Sequence, residues 1–383
     1  MATIKDVATL SGVAPSTVSY VLNGSRKISE DTRTRVLDAV RELGYHPRAS
    51  ARTLRSARSD VLVLAVPREA GKYRAMDGRF AVEISDAARG HGFDVLMMTD
   101  PDGVRGLRRI AAGGQADAAI LMAVQEEDAR LAAMRELGFP VALLGHGNER
   151  DEWGVPWVDL DWEAAVSLAV RQAVAAGHRR VAFLASAEHE IAARRGYALH
   201  GLDGARAAAR ETGAEVVIRP SAGDPERAAA RVRELLAGSE PPTALVIQHL
   251  IPLTRVLAEI AALGIRLPAD LAVILVGTLP DESGTPDLPR IDLPVGRMSA
   301  AVTELAVRAI GADGRGAGPA ETKATATLSA TTKSAATAGT TAADSAARTD
   351  GDGPGPAPRR ELITPRMTPG PALSPPRADR PAT

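Results

Sequence analysis

Apolar positions over the first sixty residues recur at helical spacing, in three short runs. Ile4, Val7 and Ala8 share one face, and Gly12-Val13 breaks the run. Pro15 suits the first turn of a second helix, where its missing N–H costs nothing. That helix is expected to bury Val18, Val21 and Leu22 and to end at Asn23-Gly24. A third starts near Ser29, with Glu30 and Asp31 favourable to its dipole, and presents Val36, Leu37, Val40 and Leu43 before stopping at Gly44.

From residue 60 to about 310 the pattern changes. Val61–Val66, Phe93–Met98, Ala118–Met122, Val141–Leu144, Val181–Leu184, Val216–Ile218, Leu245–Ile247 and Val273–Val276 are continuous apolar runs of strand length. Helical stretches at 81–91, 127–137, 163–176, 203–212, 226–237 and 253–263 separate many of them. Buried strands alternating with amphipathic helices predict parallel βαβ units. So many strands point to two sheets in two lobes. Residues 311–358 hold Leu328 as their one large apolar side chain and read as a disordered low-complexity insertion. Arg359–Met367 turns briefly strand-like before a Pro-rich end.

Composition narrows the class. The chain has 383 residues and no cysteine, which excludes disulfides, thiolate nucleophiles and Cys-ligated metal. No apolar run is long enough for a membrane span, and the N-terminus lacks a signal pattern, so a cytoplasmic protein with no membrane partner is expected. The net charge of −1 divides unevenly. Residues 1–59 carry ten basic and five acidic side chains, or +5; the remainder carries 36 and 42, or −6. A basic head on an acidic body is the asymmetry of a nucleic-acid-binding module joined to something else.

Two short helices about a tight turn, followed by a third, form the helix-turn-helix arrangement, whose second helix enters the major groove. Pro15, Ser16 and Tyr20 would then meet base edges, and Thr17, Ser19 and Asn23 would donate to phosphates. Small polar residues at a helix start serve equally well as solvated caps, so spacing alone leaves both readings open.

Longer motifs carry more. Thr3-Ile-Lys-Asp-Val-Ala8, Gly12-Val-Ala-Pro-Ser-Thr-Val-Ser-Tyr-Val-Leu-Asn-Gly24, Ser29-Glu-Asp-Thr-Arg-Thr-Arg-Val36, Glu42-Leu-Gly-Tyr-His-Pro47 and Ala51-Arg-Thr-Leu54 follow in order. Together they strongly resemble the head of lac repressor (LacI) family regulators. Asp117-Ala-Ala-Ile-Leu-Met122, Val158-Asp-Leu-Asp161 and Gly177-His-Arg-Arg-Val181 resemble that family's effector domain. The resemblance implies a helix-turn-helix domain over 1–47, a hinge helix or linker over 48–59, and a two-lobed periplasmic-binding-protein-like effector and dimerisation domain over 60–310. The insertion at 311–358 and a terminal strand and tail at 359–383 complete the chain. It implies a transcriptional regulator, by family default a repressor, that binds a palindromic double-stranded operator as a homodimer or larger and answers to a small-molecule effector. No cofactor, metal or catalytic residue is implied, and the chain is expected not to be an enzyme. The resemblance adds Thr3, Lys5, Arg26, Tyr45 and Ala51 to the DNA-contacting set. It places Leu54 as a minor-groove wedge with Arg55 beside it; unstacking there is offset by the contacts that the kink allows. Two head positions depart from the pattern: Ala14 stands where a capping Ser is usual, and Arg48 where a small polar residue is common.

The cleft departs further. The family's effector-contacting Arg aligns with Ala193, its Asn-Asp pair with His249-Leu250, and its Gly-aromatic-Asp with Leu275-Val276-Gly277. A pocket without those anchors would leave sugar hydroxyls buried without partners. By position, His146, Arg194 and His249 are the candidate effector contacts. The alternative is the same DNA-binding regulator with a cleft that no longer switches anything. A solute-binding protein or α/β enzyme with an incidental head is the remaining reading. Gly71-Lys-Tyr73 lacks the spacing of a phosphate loop. Glu188-His189-Glu190 reads as a solvated loop rather than a metal site.

Overall fold

The computed structural model describes residues 2–23, 26, 28–45, 58–68, 75–147, 154–248, 253–278, 287–312, 360–368 and 373–376. In the head, α1 (Ile4–Ser11), α2 (Pro15–Asn23) and α3 (Glu30–Glu42) enclose Val7, Ala8, Val18, Val21, Val36, Ala39 and Tyr45. Thr3 caps α1 in a reciprocal box with Asp6, and Gly12 closes it in the left-handed region at φ 65°. Ser29 caps α3. Leu37, expected in the core, is instead 38% exposed. One residue further round the helix is a turn of about 100°, which carries it off the stripe that Val36, Ala39 and Val40 present inward.

The body holds two six-stranded sheets. The strands of the first are β1 (Val61–Ala65), β2 (Asp94–Met98), β3 (Ala118–Met122), β4 (Val141–Leu144), β5 (Trp157–Leu160) and β11 (Arg360–Ile363), in the order β11-β5-β4-β3-β1-β2, all parallel. The second contains β6 (Arg180–Ala187), β7 (Glu215–Ser221), β8 (Ala244–Gln248), β9 (Ala272–Thr278), β10 (Arg290–Asp292) and β12 (Met367–Thr368). Its order is β12-β10-β9-β8-β6-β7, with β12 antiparallel. Helices α4 (Ala75–Gly90), α5 (Val104–Ala112), α6 (Ala129–Glu136) and α12 (Val295–Ala312) go with the first lobe. Helices α7 (Trp162–Ala175), α8 (Glu188–Ala192), α9 (Gly196–Thr212), α10 (Pro225–Leu236) and α11 (Leu253–Ala262) go with the second. Both faces of each sheet are covered, which is why the central strands read as unbroken apolar runs. The chain crosses between lobes after β5, after β10 and after β11.

Helix α9 starts seven residues before the helical stretch expected from residue 203. Its glycines permit close approach to neighbouring elements. A Cβ at Gly201 would lie 2.1 Å from Gln248 Oε1, and one at Gly204 would lie 2.2 Å from the Glu163 carbonyl oxygen. The strand-like residues after 359 become β11 at the edge of the first sheet, so the low-complexity stretch interrupts the body between α12 and β11. Residues 311–312 finish α12; the remainder of that stretch lies outside the described residues.

The chain end straps back onto the second lobe. His178, 1% exposed, lies with Nδ1 2.9 Å from Thr243 Oγ1 and Nε2 3.0 Å from the Ser374 carbonyl, while Pro376 packs on Gly177. Burial holds the His178 imidazole below its ordinary range, against the opposing pull of the Ser374 bond. A folded state that prefers neutral His178 keeps its full stability above about pH 6.5 and loses some as pH falls below that, where only the unfolded chain takes up the proton. The melting temperature should therefore fall from pH 7.5 to pH 5.5, and His178→Gln should flatten part of that fall. An unchanged slope in the variant would assign the dependence elsewhere.

Candidate nucleic-acid interface and effector cleft

On the head, Pro15 and Ser16 are exposed at the start of α2, and Thr17, Ser19 and Tyr20 are half-buried along it. Thr17 N–H and Val18 N–H both donate to the Ala14 carbonyl, so the turn closes on backbone where a side-chain cap is missing. The Arg26 guanidinium carbon sits 5.8 Å from the centre of the Tyr20 ring. Lys5 is exposed and, with Thr9 and Gly12–Pro15, lines a shallow depression where α1 meets α2. Thr3 is exposed but committed: its N–H and hydroxyl each donate to Asp6 Oδ2 at 2.8 Å, which holds the Asp6 carboxyl below its usual range. Asn23 ends α2. Tyr45, 9% exposed, belongs to the head core, and its bulk fills the space between the helices. Ala51, Leu54 and Arg55 lie outside the described residues.

In the body, the C-terminal ends of the strands converge on the crossings, the position where open α/β sheets hold ligands. His146, after β4, lies with Nδ1 2.9 Å from Asp159 Oδ2, which also accepts the His146 backbone N–H at 3.3 Å. Asp159 Oδ1 accepts Leu160 N–H at 2.8 Å and Trp162 Nε1–H at 3.0 Å. The His146 ring stacks on Trp157 at 4.5 Å, and the His200 ring of the other lobe lies 4.3 Å away. Burial, then the neighbouring His146, keeps His200 below the ordinary histidine range. Donor atoms of His146, Asp159 and His200 lie within 4.8 Å of one another, a possible metal set. Four polar contacts already occupy the Asp159 oxygens, however, so the cluster is satisfied as a hydrogen-bonded stack. His146, placed in the cleft from sequence, is only 8% exposed and serves this junction.

A seam of backbone bonds joins the lobes beside it. Gly196 N–H donates to the Val124 carbonyl and Glu126 N–H to the Arg194 carbonyl, both at 3.0 Å, and Gln125 and Arg195 form an antiparallel bridge. The Arg194 side chain is 63% exposed and pairs with Glu126 across the seam. Arg194 has φ 52°, and the left-handed turn sends its neighbour inward instead. Arg195, with a side chain 12% exposed, donates through Nη1 to Glu190 Oε1 at 3.3 Å and to the Tyr197 hydroxyl at 3.2 Å. Tyr197 donates to the same Glu190 oxygen at 2.7 Å. Glu190 is 5% exposed, not a solvated loop residue, and its second oxygen accepts the Ala187 N–H that opens α8. Among the described residues, Arg195 Nε, Gln248 Oε1 and Ser186 Oγ are buried with no hydrogen-bond partner. Arg195 adjoins Ala193 and, like Arg194, could stand in for the family's effector Arg, whereas Glu190, Tyr197 and Gln248 were not among the cleft residues expected from sequence. No pattern in the sequence marks Glu190 and Arg195 as partners, because burial is what pairs them. His249 lies outside the described residues.

Residues 3–48 match the bacterial regulatory proteins of the lacI family. Residues 80–248 match the periplasmic binding proteins and sugar binding domain of the LacI family, and residues 170–332 a periplasmic binding protein-like domain. The HTH-type transcriptional regulator CelR of Thermobifida fusca is 30% identical over 279 residues, which cover 71% of this chain and 81% of CelR. The chain belongs to the LacI family. It is a helix-turn-helix transcriptional regulator with a periplasmic-binding-protein-like body. A second HTH-type transcriptional regulator, AglR of Rhizobium meliloti strain 1021, is 29% identical over 279 residues, covering 71% of this chain and 76% of AglR. The lac repressor dimer bound to operator and the anti-inducer ONPF shares the fold, with a TM-score of 0.75 over 97% of this chain and 99% of that one at 18% identity.

Proposed function

We propose that this LacI-family regulator binds a palindromic operator as a homodimer, represses from it, and is modulated by a small polar effector in the interlobe cleft. The observation that carries the DNA-binding part is the head: a capped, compact three-helix unit in which α2 leaves Pro15 and Ser16 exposed at its N-terminal turn, with Tyr20 one turn on. In that geometry Pro15, Ser16 and Tyr20 read base edges, and Lys5, Thr17, Ser19, Asn23 and Arg26 hold the backbone. Leu54 and Arg55 act in the minor groove at the centre of the site. Dimerisation is supported by an edge of the first lobe that exposes apolar side chains: Val82 on α4 at 59%, and Leu96 and Met97 on the edge strand β2 at 39% each. A second copy of this chain is the partner such a self-complementary edge fits. For the effector, Arg195 takes the place that Arg194 held by position, with Glu190, Tyr197 and Gln248 around it. No described helix is long and apolar enough to cross a membrane, and a regulator of this kind acts where the chromosome is, in the cytoplasm.

The test is selection of bound duplexes from fragmented genomic DNA by purified protein. The expected result is a palindrome with a pyrimidine–purine or CG centre, since only a symmetric dimer imposes two-fold symmetry on the site. Tyr20→Ala should change the preferred sequence while non-specific affinity stays within about twofold. Equal losses on every sequence would move Tyr20 to the backbone-contacting set, and no enriched sequence would remove the reading altogether.

A further inference from the structure

The point where the linker joins the body is gripped by one side chain. Asp117, in the turn that leads into β3, accepts from Ser59 N–H at 2.8 Å and Ser59 Oγ–H at 2.9 Å on one oxygen, and from Asp60 N–H at 2.9 Å on the other. Its own N–H donates to the Val61 carbonyl at 2.8 Å. Within this clasp Asp60 is held at φ 54°, a left-handed conformation that non-glycine residues adopt rarely and at a cost. Backbone of that kind persists where its surroundings over-determine it, and Asp117 supplies the determinant.

The clasp sits at one end of a stiff element. All five residues of β3 are buried, flanked by β1 on one side and β4 on the other. Two residues past the other end of β3, Val124, Gln125 and Glu126 make the backbone seam with the second lobe. A single strand therefore ties the lobe junction to the residues from which the linker departs.

We infer that Asp117 is a positioning residue for operator binding: by fixing the left-handed turn at Ser59-Asp60 it sets the direction in which the linker leaves the body. Two heads of a dimer reach two half-sites only when both linkers depart in matched directions, so loosening the turn penalises the specific complex. Non-specific binding, which needs phosphate contacts from the head alone, is spared. This rests on the reading of the chain as a dimeric operator-binding protein.

The experiment uses the full chain and the duplex that the wild-type protein itself selects. Ser59→Ala, Asp117→Asn and Asp117→Ala remove progressively more of the clasp. Operator affinity is expected to fall in that order, reaching about tenfold or more for Asp117→Ala, a loss of about one full decade in Kd. Affinity for a scrambled duplex should stay within about twofold, and the salt dependence should keep its slope, because the same phosphates are contacted. Melting of the body should move by no more than a few degrees. Unchanged operator affinity across the series overturns the inference. So do parallel losses on operator and scrambled DNA, or a loss that tracks the melting temperature, since either describes general damage. Ser59→Ala leaves Asp117 and the backbone bonds in place and keeps the test interpretable if Asp117→Ala folds poorly. Failure of the wild type to select any duplex would instead sink the operator-binding reading, and this inference with it.

Discussion

Asp128→Ala is expected to lower the unfolding free energy of the first lobe by about 3–5 kcal/mol, the cost of leaving a buried charge without its counterion. Asp128 caps α6 and is 4% exposed; Arg130, two residues on, is equally buried. The carboxylate accepts Arg130 Nε–H at 2.9 Å, Arg130 Nη2–H at 2.6 Å, the Arg130 backbone N–H at 3.0 Å and Gln125 N–H at 3.3 Å. Burial is the largest single influence on Asp128 and pushes its pKa up. The Arg130 hydrogen bonds and charge, joined by backbone donors, outweigh it, so the folded pKa lies below the usual value. A depressed carboxyl contributes stability that is present above its unfolded pKa and is lost as pH falls through the folded one. Without Asp128, the guanidinium keeps the Met122 carbonyl at 2.9 Å as its main partner in an apolar setting. Urea unfolding followed by tryptophan emission measures this, because Trp157 and Trp162 lie in the body. A loss under about 1 kcal/mol would mean that Arg130 escapes to solvent, as a surface pair would allow. Asp128→Ala combined with Arg130→Met should be less destabilised than Asp128→Ala alone, since no charge is then stranded.

Gly196→Ala should force the lobe seam apart. A Cβ built there stands 1.7 Å from the His146 carbonyl oxygen and 2.9 Å from its carbon, both backbone atoms that cannot swing aside. The same residue donates to Val124 in the seam and starts α9. Relief requires either sliding α9 away from the first lobe or giving up the seam. Either movement separates His200 from His146 and frees the face of the ring opposite Trp157. The expected cost is about 1–3 kcal/mol, the range for overpacking a dense interior, or more if the lobes part. The readout that distinguishes seam opening from a local shift is tryptophan emission at unchanged secondary structure: a red shift with easier quenching by acrylamide marks exposure of the Trp157 stack. Unchanged emission and melting would show that the seam has slack for a methyl group.

Much of the head was legible in the sequence because its determinants are local. Gly12, Pro15 and Ser29 act within three or four residues, and the structure uses them as helix starts and stops; the Thr3–Asp6 box that opens α1 is equally local but was seen only in the structure. The alternation of apolar runs and helical stretches likewise announced two lobes of parallel strands. Helices α5, α8 and α12 were not among the expected stretches, and the start of α8 reads from sequence as a loop. Helix α5 is short and carries Gly106, a poor helix former, and α12 runs straight into the low-complexity stretch that follows it.

The cleft shows where that reach ended. Arg194 and Arg195 are identical in type and adjacent, and nothing in composition distinguishes them. The left-handed turn at Arg194 sends one to the surface, where Glu126 meets it, and buries the other against Glu190 and Tyr197. The same holds for His146, whose isolation in the sequence hid Trp157, Asp159 and His200 around it. The sequence by itself determined the kind of protein: a capped helical head, βαβ lobes and a family signature, all written in patterns a few residues long. Which charges face the cleft, what seals the lobes together and what grips the linker were decided only by tertiary structure. Those contacts join positions tens of residues apart, and their energies depend on burial and distance, which no local pattern specifies.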